Sequence, residues 1–174
     1  MKKKKSDPKN WGDATKLVRG GLDRTKYGET SEALFLNSGF VYDEPETAEK
    51  RFAGEDDGYV YGRYGNPTVS SMEMRLAALE GTEAAMGTAS GMSSILMMCM
   101  GLLKAGDHVV CSQSVFGSTI KLIAGEFGKF GVESTFVSQT DVGAWKAAIQ
   151  PNTKLLFAET PTNPLTEVCD IAAL

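Results

Sequence analysis

From Asn66 onward the sequence alternates short apolar runs with segments of helical periodicity, and no other feature constrains the fold as much. Apolar runs at 84–88, 108–111, 132–137 and 154–158 read as strands. The helical patterns between them make the sequence form of βαβ units around a mainly parallel sheet, an α/β fold. A first helix follows Asn66-Pro67-Thr68, with Ser70 or Ser71 as its cap; Met72, Leu76 and Leu79 make one face apolar before Gly81 ends it. A second carries Met92, Ile95, Leu96, Cys99, Leu102 and Leu103 as an apolar stripe towards Gly106. Met97, Met98 and Met100 thicken that stripe and read as core filler. Helices are expected over 116–130 and 142–149, with the start of another at 170–174. Up to about Asp57, Gly20-Gly21, Gly28, Gly39, Pro45 and Gly54 interrupt any long pattern, as in an extended arm with a few short helices.

Composition narrows the partners. A chain of 174 residues, 42% apolar and 23% charged, is long enough for one cored domain. A formal net charge of -4 leaves no broad electrostatic footprint for nucleic acid. The basic run Lys2 to Lys5 has no apolar segment behind it and reads as a solvated tail rather than a secretory signal. The longest apolar stretch, near 95–100, is too short to span a bilayer, so no membrane partner is expected. Cys99, Cys111 and Cys169 are widely separated, with no Cys-x-x-Cys pair for metal or redox exchange, which fits a reducing, cytoplasmic setting. His108 is the only histidine and leads the apolar pair Val109-Val110, the position of a structural imidazole; a His-dependent triad or His-rich metal site has no material.

In open α/β sheets ligands bind beyond the carboxyl ends of the strands, so the segments that follow the strands are where chemistry is sought. After the run 84–88 comes Ala89-Ser90-Gly91-Met92-Ser93, which would offer the Gly91 and Met92 amides and the Ser90 and Ser93 hydroxyls to an anion at a helix N-terminus. The same sequence is equally the form of an ordinary helix cap. Gly87-Thr88-Ala89-Ser90-Gly91 lacks the Gly-x-Ser-x-Gly spacing of a nucleophile elbow, no Gly-Lys-Ser/Thr follows, and a dinucleotide fingerprint is absent. Ahead of the first helix, Tyr59-Val60-Tyr61-Gly62-Arg63-Tyr64-Gly65-Asn66-Pro67-Thr68 packs three tyrosines around one arginine. That is either a phosphate grip, since the guanidinium fork matches phosphate oxygens, or an aromatic surface turn. Glu159-Thr160-Pro161-Thr162-Asn163-Pro164 follows the last strand run as a loop in which the prolines forbid regular structure.

Taken in order, the tyrosine–arginine motif, Ser90-Gly91-Met92 and the Glu159 to Pro164 loop resemble the Cys/Met-metabolism pyridoxal-phosphate (PLP) enzymes. The resemblance implies a type I PLP-dependent transferase fold, aspartate aminotransferase-like, with residues 1–60 as an arm for contacts between subunits and 61–174 as the first part of the large PLP-binding domain. It implies that Gly91 and Met92 bind the PLP phosphate through their amides with help from Ser90, and that Tyr61 and Arg63 reach the phosphate of a neighbouring subunit's cofactor. A dimer is then the smallest competent unit and a homotetramer, a dimer of dimers, the expected assembly. Asn163 would hydrogen-bond the phenolic oxygen of PLP, Glu159 would shape the same loop, and Phe116 would stack on the pyridine ring. Many lyases and synthases of the family have a tyrosine where this chain has Phe116, and methionine γ-lyases resemble one another in a cysteine where it has Ser118.

Leu17-Val18-Arg19-Gly20-Gly21, Gly28-Glu29-Thr30-Ser31-Glu32 and Arg51-Phe52-Ala53-Gly54-Glu55 resemble bacterial O-succinylhomoserine sulfhydrylases in particular. The implied reaction takes an amino-acid ester, O-succinylhomoserine, and sulfide to homocysteine and succinate. Sister reactions, those of cystathionine γ-synthase or methionine γ-lyase, and a non-catalytic fragment are the alternatives. The Schiff-base lysine and the acid that pairs with the pyridinium nitrogen have no counterpart here. Lys104 and Lys121 fall in helical segments and are expected to face solvent. The 174 residues alone are therefore expected to be inactive, with a second polypeptide a candidate carrier of the rest of the fold.

Overall fold

The computed structural model describes residues 10–174; the basic run Lys2 to Lys5, and the reading of it as a solvated tail, lie outside the described residues. The chain forms two compact units, one ending at Gly87 and one from Thr88 to Leu174.

The first unit holds α1 (Asp13–Arg19), α2 (Pro45–Ala53) and α3 (Pro67–Glu80), joined by irregular backbone. Asn66, not Ser70 or Ser71, caps α3: its side chain accepts from the Thr68 amide at 2.9 Å, and Pro67 takes the first helical position, where a missing N–H costs nothing. The expected apolar face of α3 is also displaced. Met72 and Leu76 are nearly half exposed, and the residues that α3 buries are the small Ser71 and Ala77. Close backbone approach is the reason. Gly21, at φ 67°, lies so near α3 that a Cβ there would run into the Ser71 carbonyl, and Arg75 donates from Nε to the Gly20 carbonyl at 3.0 Å.

The second unit is a three-layer α/β structure around a parallel sheet of order β2-β1-β3, where β1 is His108–Ser112, β2 Glu133–Val137 and β3 Thr153–Phe157. All five residues of β1 are buried. Alternation along the strand sends Val109 and Cys111 to one face, with Cys99 of α4 (Gly91–Leu102) and Ile123 and Phe127. Val110 goes to the other, with Val137 and Trp145 of α6 (Val142–Ala148). His108 is the structural imidazole expected: buried, it meets Thr153 Oγ1 at 2.8 Å through Nδ1 and Thr135 Oγ1 at 2.9 Å through Nε2, tying β1 to both neighbours.

Four further expectations are corrected. Residues 84–88 form no strand, because no ladder partner stands beside them among the described residues; the Gly87 amide instead donates to the Glu73 carboxylate at 2.7 Å. The segment 116–130 is helical but not uniformly so: α5 (Gly117–Ile120) opens into a π-helical stretch, Lys121–Phe127. On α4, which ends at Leu102 rather than near Gly106, Met98 packs on the core while Leu96, Met97, Met100 and Leu102 are exposed. The stripe is wider than the one face that the sheet covers. Residues 170–174 make a turn, closed by the Ala173 amide on the Asp170 carbonyl at 3.1 Å, and not a helix.

Candidate functional site

The Ser90 side of the site is built by the capping of α4. Ser90 is extended, and its hydroxyl oxygen accepts from the Ser93 amide at 3.2 Å and meets the Ser93 hydroxyl at 2.9 Å. Thr88 meets Ser94 through their hydroxyls at 2.6 Å, and the Ser94 amide returns to the Ser90 carbonyl at 3.1 Å. Ser90 thus serves as a cap, and the Gly91 and Met92 amides ahead of Ser93 are left without a protein acceptor among the described residues. Nothing lies within 4 Å of where a Cβ on Gly91 would stand. Two free amides, the positive end of a 12-residue helix and open space over a glycine are what a phosphate requires.

Phe116 caps α5 just beyond β1, and the residue is 49% exposed, leaving its side chain accessible. Its amide donates to Glu159 Oε2 at 2.9 Å. Glu159 follows β3 and is half-buried; its carboxylate therefore joins the loops after two adjacent parallel strands at their carboxyl ends. Asn163, on the same loop as Glu159, is exposed, with no protein partner for its side-chain amide among the described residues. The turn that carries it closes on itself: the Thr162 amide donates to the Glu167 carbonyl at 3.0 Å, and the Glu167 amide to Thr162 Oγ1 at 2.9 Å. Thr166 in this turn has φ 55°, unusual for a β-branched residue and costing about 1–3 kcal/mol.

In the first unit, Tyr61 pairs with Gly39 in an isolated antiparallel bridge, and its carbonyl accepts from the Tyr64 amide at 2.8 Å. The Arg63 guanidinium lies 4.7 Å from the centre of the Tyr61 ring, a cation–π contact that keeps both polar ends on the surface, where Tyr61 is 37% exposed. The motif is at once an aromatic turn and a paired presentation of phenol and guanidinium.

The two units carry different parts of the predicted set. Ser90, Gly91, Met92, Phe116, Glu159 and Asn163 belong to the second unit, Tyr61 and Arg63 to the first. Among the described residues, no group of three or more His, Cys, Asp or Glu is arranged to hold a metal ion. No helix among them is long and apolar enough to cross a membrane. Sequence reasoning passed over Ser114, Gln139 and Glu167. Ser114 donates its hydroxyl to Glu167 Oε2 at 2.7 Å, and buried Gln139 donates from Nε2 to the Glu167 carbonyl at 3.2 Å. An acidic residue in a proline-flanked loop carries no local signal that it will reach back more than fifty residues.

Comparison with known proteins gives this geometry a family. The model of the family described as Cys/Met metabolism PLP-dependent enzyme matches residues 14–174. An O-succinylhomoserine sulfhydrylase of Pseudomonas aeruginosa is 54% identical over 92% of this chain and 40% of its own length. One of Mycobacterium tuberculosis is 45% identical over 98% of this chain and 42% of its own. An L-methionine gamma-lyase of Treponema denticola is 39% identical over 94% and 41%. The crystal structure of metB from Corynebacterium glutamicum superposes with a TM-score of 0.85 at 36% identity, over 96% of this chain and 42% of that one. A putative O-acetylhomoserine (thiol)-lyase (metY) of Campylobacter jejuni, which carries N'-pyridoxyl-lysine-5'-monophosphate, superposes at 0.84 with 28% identity over 92% and 40%. The chain thus spans about two fifths of the length of these relatives. Parallel sheet, flanking helices and likeness to solved structures bear out the expected PLP-transferase fold. The chain belongs to the Cys/Met-metabolism family of PLP-dependent enzymes.

Proposed function

We propose that these residues form the phosphate- and ring-binding part of a PLP enzyme that replaces the succinyl group of O-succinylhomoserine with sulfide, giving homocysteine and succinate. The open N-terminus of α4, with two free amides over an unobstructed Gly91, is the observation that carries the cofactor assignment. When bound, PLP supplies the electron sink that stabilises negative charge beside the amino-acid nitrogen. The chain's own residues bind and orient. Gly91 and Met92 hold the phosphate by their amides, and Ser90 fixes the helix start that aims them. Phe116 offers its ring face and, having no hydroxyl, holds no proton, which supports replacement over proton-shuttling lyase chemistry. Asn163 donates to an oxygen on the cofactor ring, with Glu159 setting Phe116 through its amide. Tyr61 and Arg63 are assigned to the phosphate of a neighbouring copy, with residues 1–60 as the arm between subunits, a dimer of dimers as the assembly and the cytoplasm as its place.

The choice of replacement over γ-elimination is supported by the higher identity to sulfhydrylases, 54% and 45%, than to the γ-lyase at 39%. The reaction is proposed for the complete protein in which these residues stand; the 174 residues alone, with no assigned lysine, are proposed to be inactive. The test supplies that complete protein with PLP and O-succinylhomoserine, first with sulfide and then with cysteine. Homocysteine and succinate from the sulfide arm support the proposal. Turnover only with cysteine, or release of a 2-oxo acid without any added thiol, assigns the site to a sister reaction.

A further inference from the structure

We propose that Glu167, with Ser114, is a positioning residue that fixes where the Asn163 turn stands relative to Phe116; this rests on the PLP reading above. Phe116 and Asn163 both expose their side chains, so packing does not hold either in place. Their placement must come from the loops that carry them. The Asn163 turn closes internally through the main chain of Glu167 and the Thr162 amide and hydroxyl, with Thr162 buried. The side chain of Glu167 does something separate: Oε2 accepts from the Ser114 hydroxyl at 2.7 Å, on the loop between β1 and Phe116. Ser114 is itself pinned, its amide donating to the Oγ of fully buried Ser112 at 3.0 Å. Gln139, beyond β2, donates to the Glu167 carbonyl at 3.2 Å. One residue therefore ties together the segments that follow all three strands.

This division makes the inference testable, because cutting the carboxylate link leaves the main-chain bonds of the turn intact. A bond from a hydroxyl to an ionised carboxylate is among the stronger ones, and its loss raises the population of locally open loop. Residue-resolved hydrogen exchange on the 174-residue chain without cofactor reads this directly. Glu167→Ala and Ser114→Ala are expected to speed exchange of the Phe116 amide, which is bonded to Glu159 and not to the altered pair, by about tenfold. Glu167→Gln, which keeps an oxygen to accept from Ser114, is expected to stay within about twofold. Unchanged exchange at Phe116 in Ser114→Ala, with the β1 amides still protected, overturns the inference; that variant carries the test if Glu167→Ala loses β1 protection.

Titration of the same variants separates this from the PLP reading. In the complete protein, Glu167→Ala should bind PLP several-fold more weakly than the unaltered protein does, while inorganic phosphate, whose proposed contacts include neither Phe116 nor Asn163, should bind equally to both. Equal loss for both ligands overturns the positioning role. An unaltered complete protein that binds neither overturns the PLP reading, whereas the exchange result still decides the positioning role of Glu167.

Discussion

Asn66 shows how much one polar side chain can hold. Its oxygen caps α3 through the Thr68 amide, and its nitrogen donates to the Phe35 carbonyl at 2.9 Å, so one buried residue joins a helix start to a segment thirty residues earlier. Asn66→Ala removes the cap and strands a half-buried carbonyl, and is expected to lower the unfolding free energy by about 1–2 kcal/mol in chemical denaturation. Asn66→Asp keeps the acceptor and should fall between the two. Ser70 and Ser71, little more than one turn further on, are no stronger caps by residue type; Pro67 at the first helical position and the tertiary bond to Phe35 set the cap at Asn66. The cysteines were legible in kind: free and unpaired, they are also all buried. Burial pushes the Cys111 thiol up to about 12, with neighbouring Cys99 adding to the effect, and burial raises Cys99 as well. Since the thiolate is the nucleophile, these two should resist an alkylating reagent at pH 8 in the native chain and react at once in denaturant, a contrast that mass spectrometry reads residue by residue.

At the scale of elements, the three strands found lie within one residue of three of the four expected runs; β1 is buried along its whole length, whereas β2 and β3, at the two edges of the sheet, are only partly buried and carry polar residues. The run at 84–88 has the same texture and forms no ladder, since pairing depends on what lies alongside and not on the run itself. The π-helical stretch after α5 was equally hidden: Ile123 and Phe127 are four apart and buried, as an ordinary helix would place them. In the first unit, three carboxylates accept hydrogen bonds from amide, hydroxyl and guanidinium groups. The Thr25 amide and hydroxyl, each 2.7 Å from Glu29, hold that carboxyl below its ordinary range, the Arg75 guanidinium does so for Glu32, and the Gly58 amide followed by Arg51 for Asp56. Each of these groups binds a proton less readily when folded than when unfolded. Their contribution is therefore complete above the ordinary carboxyl values of 4.5 and 3.8 and is lost as pH falls through the lower folded values. Acidification below about pH 4.5 should loosen the 25–32 and 51–58 segments first, seen as amide exchange there before any change in β1.

For the whole molecule, what remains is the apolar surface. Leu36 and Val41 are 94% and 93% exposed in the first unit, and in the second Leu96, Met100, Leu103, Phe127, Phe130 and Val132 line a groove of about 280 Å³. Scattered apolar side chains are ordinary on a protein surface, but a contiguous concave set is a site where apolar molecules and other protein surfaces gain by displacing water. The 174-residue chain should accordingly bind an environment-sensitive apolar dye while still folded, and light scattering should show its mean mass rising with concentration. Met100→Lys combined with Phe130→Lys places two charges in the groove and is expected to lower dye binding by about half with β1 exchange unchanged. Tyr27→Lys, at an exposed ring outside the groove, serves as the control and should change nothing. Equal dye binding by all three would mean that the groove contributes no more than dispersed side chains do. The stripe on α4 would then be solvated as it stands, and the surplus of methionine over what the sheet covers would have no binding consequence.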